Sequence, residues 1–482
     1  MAFIRKVKTG SGATAVQIAH KRYGQVVKIE HIGSAHTKED LETLLAVAKQ
    51  RLLGNQRSLF EENFSPLKIN LKQPVSQLLL KVLIELYNSL GFNSLEDDIF
   101  AYLCVARIVE PTSKLDSIRV LSELGVNSID RNKLYRCLNQ IITKDYRKTI
   151  TQHCFAHAAR GISFVLYDVT TLYFEVQEED TYRKPGMSKE RRLEPQIIVG
   201  LLVDQYGFPL GLHSFEGNTA ETNTILPVIE AFKKQHRLTA ITVVADAAML
   251  SQKNLEALTH AGYTYIVGSR LQKIPYDISE YQKTGELTDQ QIITTEFKEG
   301  QRIIYQYREK RAALDLRNIE KQITKAERIL NGKLVDRKAK FLSIKTKEKK
   351  LNQALIDKAK SLAGIKGYVT NLAMPDEQVI VSYHQLWHVE QSFRMSKSDL
   401  RARPIFHHKR DSIEAHLTIV LAALAIGKTI EKNTGLSIKR FIRTLRPIRS
   451  GIVTINGQEY QAEAEIQPEI KILMRKLQPP GY

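Results

Sequence analysis

The chain has 482 residues, enough for two to four domains, and its 43% hydrophobic content can bury a sizeable core and excludes compositional disorder. Lys and Arg number 71 against 52 acids, and the net charge of +19 points to a polyanion, nucleic acid first, or else to charge carried for solubility. Three widely spaced cysteines, Cys104, Cys137 and Cys154, suggest neither a disulfide framework nor a zinc site, and a reducing compartment.

The opening MAFIRKVKTGSG has no apolar core of signal-peptide length. The most apolar run, residues 417–427, is far short of the roughly 20 residues needed to cross a bilayer. A soluble, cytoplasmic protein with no membrane partner is expected. Residues 1–35 read as short strands with turns at Gly10, Gly12 and Gly24. Thr37 then caps a helix reaching Leu53, with Asp40 in the capping-box place. Pro66 and Pro74 bracket a loop.

Residues 75–159 have helical periodicity. Within them, KLDSIRVLSEL, GVNS and IDRNKLYRCLNQI read as helix, turn, helix, with Gly125 in the turn. Arg131, Lys133, Tyr135 and Arg136 lie on the second helix. It reads either as a candidate DNA-recognition helix or as half of an ordinary helical hairpin with a solvated basic face, the commoner case.

At Gly161 the texture becomes β. ISFVLYDVTTLYF, PQIIVGLLVD and FPLGLHSFEG read as an antiparallel meander, the last two separated by residues 205–207. A helix comes next over 221–237, starting or kinking at Pro227. Then come a fourth strand ending in ITVVAD, a helix closed by Gly262, and a fifth strand, YTYIVGSR. From 271 to 363 the core pattern breaks: EFKEGQRIIYQYREKR has strand character, and a long Lys-dense helical stretch reads as an insertion. Its charge is a solvated face or a phosphate-backbone contact.

GYVTNLAM returns to β. Residues 382–400, SYHQLWHVEQSFRMSKSDL, then read as one helix. On it Tyr383, Glu390 and Lys397 recur every seven residues, drift by only about 20° per step and line one stripe roughly 21 Å long. Residues 413–430 form a buried helix, and the tail has a basic helix, IKRFIRTLRPIR, and a hairpin signal at Asn456 and Gly457.

Three antiparallel strands succeeded by parallel crossovers predict a ribonuclease-H-like mixed-sheet α/β core. The domain reading is 1–60 small β plus helix, 61–160 helical DNA-binding region, 161–275 first part of the catalytic core, 276–364 α+β insertion, 365–430 second part of the core and 431–482 basic helix and hairpin. In such a fold the first and fourth strands are neighbours, which brings Asp168 to Asp246, and Glu390 reaches them from the later helix. Singly, Asp246 reads as a turn or cap residue and Glu390 as a polar helical residue. Asp168 interrupts FVLYDV, a buried strand where an unpaired carboxylate is expensive. A metal ion, an Arg or backbone donors can compensate it. Three carboxylates suit two Mg²⁺ ions about 3.5–4 Å apart, which activate an attacking oxygen and stabilise a leaving one.

At YDVTTLYFE, VVADAAMLS, GYVTN and KSDLRARPIFHH, and at Tyr383, Glu390 and Lys397, the chain resembles bacterial insertion-sequence transposases of the DDE class. It is similar to the IS-four superfamily, marked by Tyr, two residues, Arg, three residues, Glu, six residues, Lys, and to its branch whose type element is numbered sixteen-thirty-four. The arginine place holds Leu386. The similarity is strongest over residues 160–430. It implies that Asp168, Asp246 and Glu390 hold two divalent ions, Mg²⁺ with Mn²⁺ able to substitute. It also implies that Tyr383 and Lys397 contact phosphates, with Arg394 or Arg401 replacing the arginine that Leu386 lacks. Trp387 stacks on a base drawn from the duplex, or is a core aromatic. Double-stranded DNA is the expected partner and a homodimer the expected synaptic form. The expected reaction is metal-dependent hydrolysis at the element ends, then joining of the 3′-OH to target DNA. A plain nuclease on the same fold and a catalytically silent DNA-binding derivative are the alternatives.

Overall fold

A computed structural model describes residues 2–53, 69–71, 74–158, 164–175, 178–186, 194–247, 251–269, 287–298, 300–332, 339–343, 350–455 and 458–477. Pro66 at the start of the expected loop, Gly161 at the expected change to β texture, and the hairpin signal at Asn456 and Gly457 lie outside these residues. The chain divides into two compact units, residues 1–72 with 452–460, and 73–451 with 461–482.

In the first unit the expected short strands, β1 (Ala2–Lys8), β2 (Thr14–Arg22) and β3 (Gln25–Ala35), form an antiparallel meander. Gly12 and Gly24 take positive φ in its turns, which glycine adopts without strain. Helix Lys38–Leu53 packs on it through Ala48, against Val16 and Ile18. The cap is reciprocal: the Asp40 amide donates to Thr37 Oγ1 at 3.1 Å, and that hydroxyl donates to Asp40 Oδ2 at 2.7 Å. A short β4 (Ile69–Leu71) lies in the stretch read as a loop.

The second unit holds an eight-stranded mixed sheet. Its strands are β5 (Phe164–Tyr173), β6 (Gln196–Asp204), β7 (Pro209–Glu216), β8 (Thr242–Ala245), β9 (Thr264–Ser269), β10 (Ile292–Lys298), β11 (Gln301–Tyr307) and β14 (Ile365–Thr370), with β12 (Leu342–Ser343) and β13 (Lys350–Leu351) forming a separate ribbon. The order is β10-β11-β14-β9-β8-β5-β6-β7. β5–β8 and β8–β9 pair in parallel; β5, β6 and β7 are the antiparallel meander. This is the ribonuclease-H-like α/β order expected from the sequence, extended at one edge. All nine residues of β6 are buried, as a strand covered on both faces requires. Helix Ile225–His236 carries Pro227 in its first turn, where no backbone bond is lost.

Two expectations are corrected. The hairpin β10–β11 does not break from the core; it continues the central sheet through β14. Only the segment between β11 and β14, helices Glu309–Leu330 and Gln353–Ser361 with β12 and β13, builds a small core of its own from Ile319, Ile323, Phe341 and Ile356. Second, the apolar run at 417–427 belongs to helix Arg410–Thr434, which by length and composition could cross a membrane. Its apolar stretch is 89% buried inside the unit, because helices Gln77–Ser89, Asp98–Val109, Arg131–Thr143 and Tyr146–Ala158 and strand β7 pack around it.

One polar knot holds that helix. Glu414 Oε1 accepts from Tyr182 Oη and from Ser214 Oγ, each at 2.6 Å, and Oε2 meets Arg147 Nη1 at 2.7 Å. Burial pushes the Glu414 carboxyl up, but the Arg147 charge and the donated hydrogen bonds outweigh it and leave it below its ordinary value. The charged form is therefore favoured in the folded state. Its contribution is fully present above the unfolded value of about 4.3 and is lost as pH falls through the lower folded value. Glu414→Ala, which strands Arg147, is expected to destabilise the protein by about 3 kcal/mol in chemical denaturation. In Glu414→Gln the wild-type loss of stability below that pH should be reduced.

Candidate active site

The site begins with strand register. β5 and β8 run parallel, Tyr167 opposite Ala245, so the next residue on each is Asp168 and Asp246. Neighbouring strands lie about 4.8 Å apart, so the fourth strand brings its terminal carboxylate beside the first. Asp168 and Asp246 are both partly buried. Asp246 Oδ1 accepts the Ala247 amide at 2.7 Å and the Tyr383 hydroxyl at 3.3 Å.

Residues 382–400 are not one helix. Helix Asp376–His384 ends at a turn, helix Trp387–Arg394 restarts, and a π turn, Met395–Asp399, closes the segment. At the break the amides of Gln385, Leu386, His388 and Val389 donate three residues back, a tighter winding than the α-helix. At the far end the Leu400 amide donates to Met395 O at 2.9 Å, five residues back. No Gly or Pro marks either change. Leu386, in the place the resemblance gives to arginine, is buried at the break. Apolar packing occupies that position.

The break separates Tyr383 from the rest of its stripe. Tyr383 is 5% exposed, its ring meeting Tyr368 edge-on at 4.9 Å. Burial first, then the Asp246 charge, raises its hydroxyl above the ordinary value. Gly268 on β9 makes the room: a Cβ there would lie 2.6 Å from Tyr383 Oη. Lys366 on β14 sits over the other side of the site, its Nζ 4.3 Å from the Tyr383 ring centroid. Burial and Arg311 lower the Lys366 ammonium, while Asp246 and Glu390 oppose them.

Helix Trp387–Arg394 packs on β5 and β6 through Val389 and Phe393, and Ser392 Oγ donates to Gly207 O at 2.7 Å. Glu390 is on its exposed face, near enough to bear on both Tyr383 and Lys366. Lys397 turns inward and donates to Thr170 Oγ1, two residues beyond Asp168 and therefore on the same face of β5. Trp387 is half exposed, its ring tilted by 32° against that of His388 at 4.1 Å, so it is not a core aromatic. Arg394 and Arg401 are exposed, and Arg401 holds a left-handed backbone, φ 44°, which costs a non-glycine residue about 1 kcal/mol or more. Arg131, Tyr135 and Arg136 are exposed on helix Arg131–Thr143, remote in sequence from this sheet edge, while Lys133 donates to Ser128 O at 2.6 Å.

A family model described as the transposase DDE domain matches residues 159–426, more than half of the sequence. The chain belongs to the transposase DDE domain family. The matched segment starts just before β5 and ends inside helix Arg410–Thr434, so it contains the sheet and every residue of this site. No curated protein matches the chain. Among solved structures it is similar to a piggyBac transposase synaptic complex with hairpin DNA, at 12% identity, over 77% of this chain and 79% of that one, with a TM-score of 0.43.

Transposases of this family generally use divalent metal ions. Hard carboxylate oxygens on Asp168, Asp246 and Glu390 are the right donor type. Among the described residues, however, no three His, Cys, Asp or Glu side chains stand close enough together to hold a metal. The register supplies the Asp168–Asp246 pair, and the exposed Glu390 is not closed onto it.

Sequence reasoning did not single out Gly268, Thr170 or Lys366. Gly268 lies inside a strand pattern, where a glycine signals a close approach; the other two carry no local signal. Gly268→Ala is expected to cost about 1–3 kcal/mol by displacing the tyrosine ring. Tyr383→Phe, which removes the oxygen at 2.6 Å, should recover part of that loss, so the double mutant is less destabilised than the sum of the single ones in thermal unfolding.

Proposed function

We infer that this transposase DDE domain serves an insertion sequence of the IS-four superfamily, in the sixteen-thirty-four branch. It binds the terminal inverted repeats of double-stranded DNA, cuts at the element ends and joins the freed 3′-OH to a target. The observation that carries the reading is the parallel register of β5 and β8, which ends with Tyr167 opposite Ala245 and so leaves Asp168 and Asp246 as the next residues, inside the family match. Asp168, Asp246 and Glu390 would hold two Mg²⁺ or Mn²⁺ ions. When bound, such ions activate the attacking oxygen and stabilise the leaving one.

The chain's own residues do the rest. Tyr383 orients Asp246 through its hydroxyl. Lys397, anchored on Thr170, sets a positive charge on the face of β5 that carries Asp168. Arg394, Arg401 and the half-exposed Trp387 offer phosphate and base contacts beside Glu390. The +19 charge favours binding to the backbone of both the ends and the target. Synapsis of two ends calls for two copies, a homodimer, acting in the cytoplasm.

The test is cleavage and joining of DNA carrying the inverted repeats that flank the coding region. Wild type should cut at the repeat ends with Mg²⁺ or Mn²⁺. Asp168→Ala, Asp246→Ala and Glu390→Ala should each lose roughly 10²–10³-fold in rate while still binding the ends. Cutting without joining would favour a plain nuclease. End binding without cutting in the wild type would favour a silent DNA-binding derivative.

A further inference from the structure

Lys366 stands on β14, two strands from the Asp246 strand, half-buried. Its Nζ lies 4.3 Å from the Tyr383 ring centroid and 5.6 Å from that of Tyr368. The Tyr383 hydroxyl in turn reaches Asp246. The charges of Asp246 and Glu390 bear on Lys366, and so does Arg311. Arg308 and Arg311, at the start of helix Glu309–Leu330, also bear on Tyr368 and His384. Lys366 thus feels one neighbouring cation, Arg311, and two carboxylates, Asp246 and Glu390.

An ammonium has three donors. Among the described residues, Lys366 Nζ has no hydrogen bond within 3.5 Å and no carboxylate within 4.0 Å. Ring faces attract a cation but accept no conventional hydrogen bond from it. A side chain serving only as counter-ion would have closed on Asp246 or Glu390. Instead two tyrosine rings fix it short of both, half out of water, with its donors unspent. Such a group is preset for an anionic oxygen that the described residues do not supply.

The geometry points to Lys366 as a phosphate-binding residue of the site, taking a backbone phosphodiester of DNA next to Asp246 and Glu390. This rests on the transposase reading and adds to it a contact from the strand preceding the Tyr383 helix. Arg311, 46% exposed and 3.5 Å from Asp315, is the cation whose charge bears on Lys366.

The test uses the full chain and duplex carrying the element end, with Ca²⁺ to prevent cutting, read by fluorescence anisotropy across a salt series. Lys366→Met should bind about tenfold more weakly, and the slope of log affinity against log salt should shrink by about 0.9. Lys366→Arg should keep most of the affinity, and thermal unfolding should be unchanged in both. If Lys366→Met unfolds, Lys366→Gln carries the same expectation. Binding and slope equal to wild type would overturn the proposal and leave the transposase reading standing. So would unchanged DNA binding with tighter Mn²⁺ uptake by calorimetry, which would make Lys366 a counter-ion. Wild type that ignores the element ends would sink the transposase reading itself.

Discussion

Everything at the site depends on one parallel pairing. β8 enters the sheet beside β5, and the register Tyr167 to Ala245 leaves Asp168 and Asp246 as the next pair. Parallel neighbours need a crossover, here helix Ile225–His236, so the carboxylates are 78 residues apart in sequence (246 − 168) and one strand apart in space. A slip of one residue would turn one acid to the opposite face. The burial of β6 on one side and of β8 and β9 beyond makes such a slip expensive.

Charge at this edge is arranged in layers. The acids come from β5, the end of β8 and helix Trp387–Arg394. The cations come from β14, the π turn and the start of helix Glu309–Leu330. Tyr383 joins the two sets, since its hydroxyl touches Asp246 while its ring carries Lys366. Gly268 is what lets that ring lie where it does. Extending the sheet through β10 and β11 has a functional side as well. It sets the insertion helix directly after β11, so Arg311 arrives where its charge bears on Lys366, and Arg308 and Arg311 where theirs bear on Tyr368.

Much of this was legible in the sequence where the signal is local. The meander β5–β7 was visible in its β-branched runs, the Thr37 cap in its spacing, and the nearness of Pro227 to a helix start in proline chemistry. The family resemblance over 160–430 agrees with the matched segment 159–426. What was not legible depends on partners distant in the chain. Whether β10–β11 joins the core is decided by pairing with β14, some 60 residues on. The broken helix at 385–386 contains no breaker; it is set by burying Leu386 and Val389 against the sheet. The same packing buries Tyr383, which seven-residue spacing alone would leave on one continuous stripe with Glu390 and Lys397.

That broken segment also bears on when these side chains can come together. Nine residues and eight residues of helix, separated by a turn, fall below the length at which isolated helices persist in water. Tyr383, Glu390 and Lys397 therefore hold no fixed spacing in the nascent chain. They acquire one only once the sheet beneath them is complete, so their arrangement is a product of the whole fold, and a truncated or half-made copy carries the residues without the arrangement.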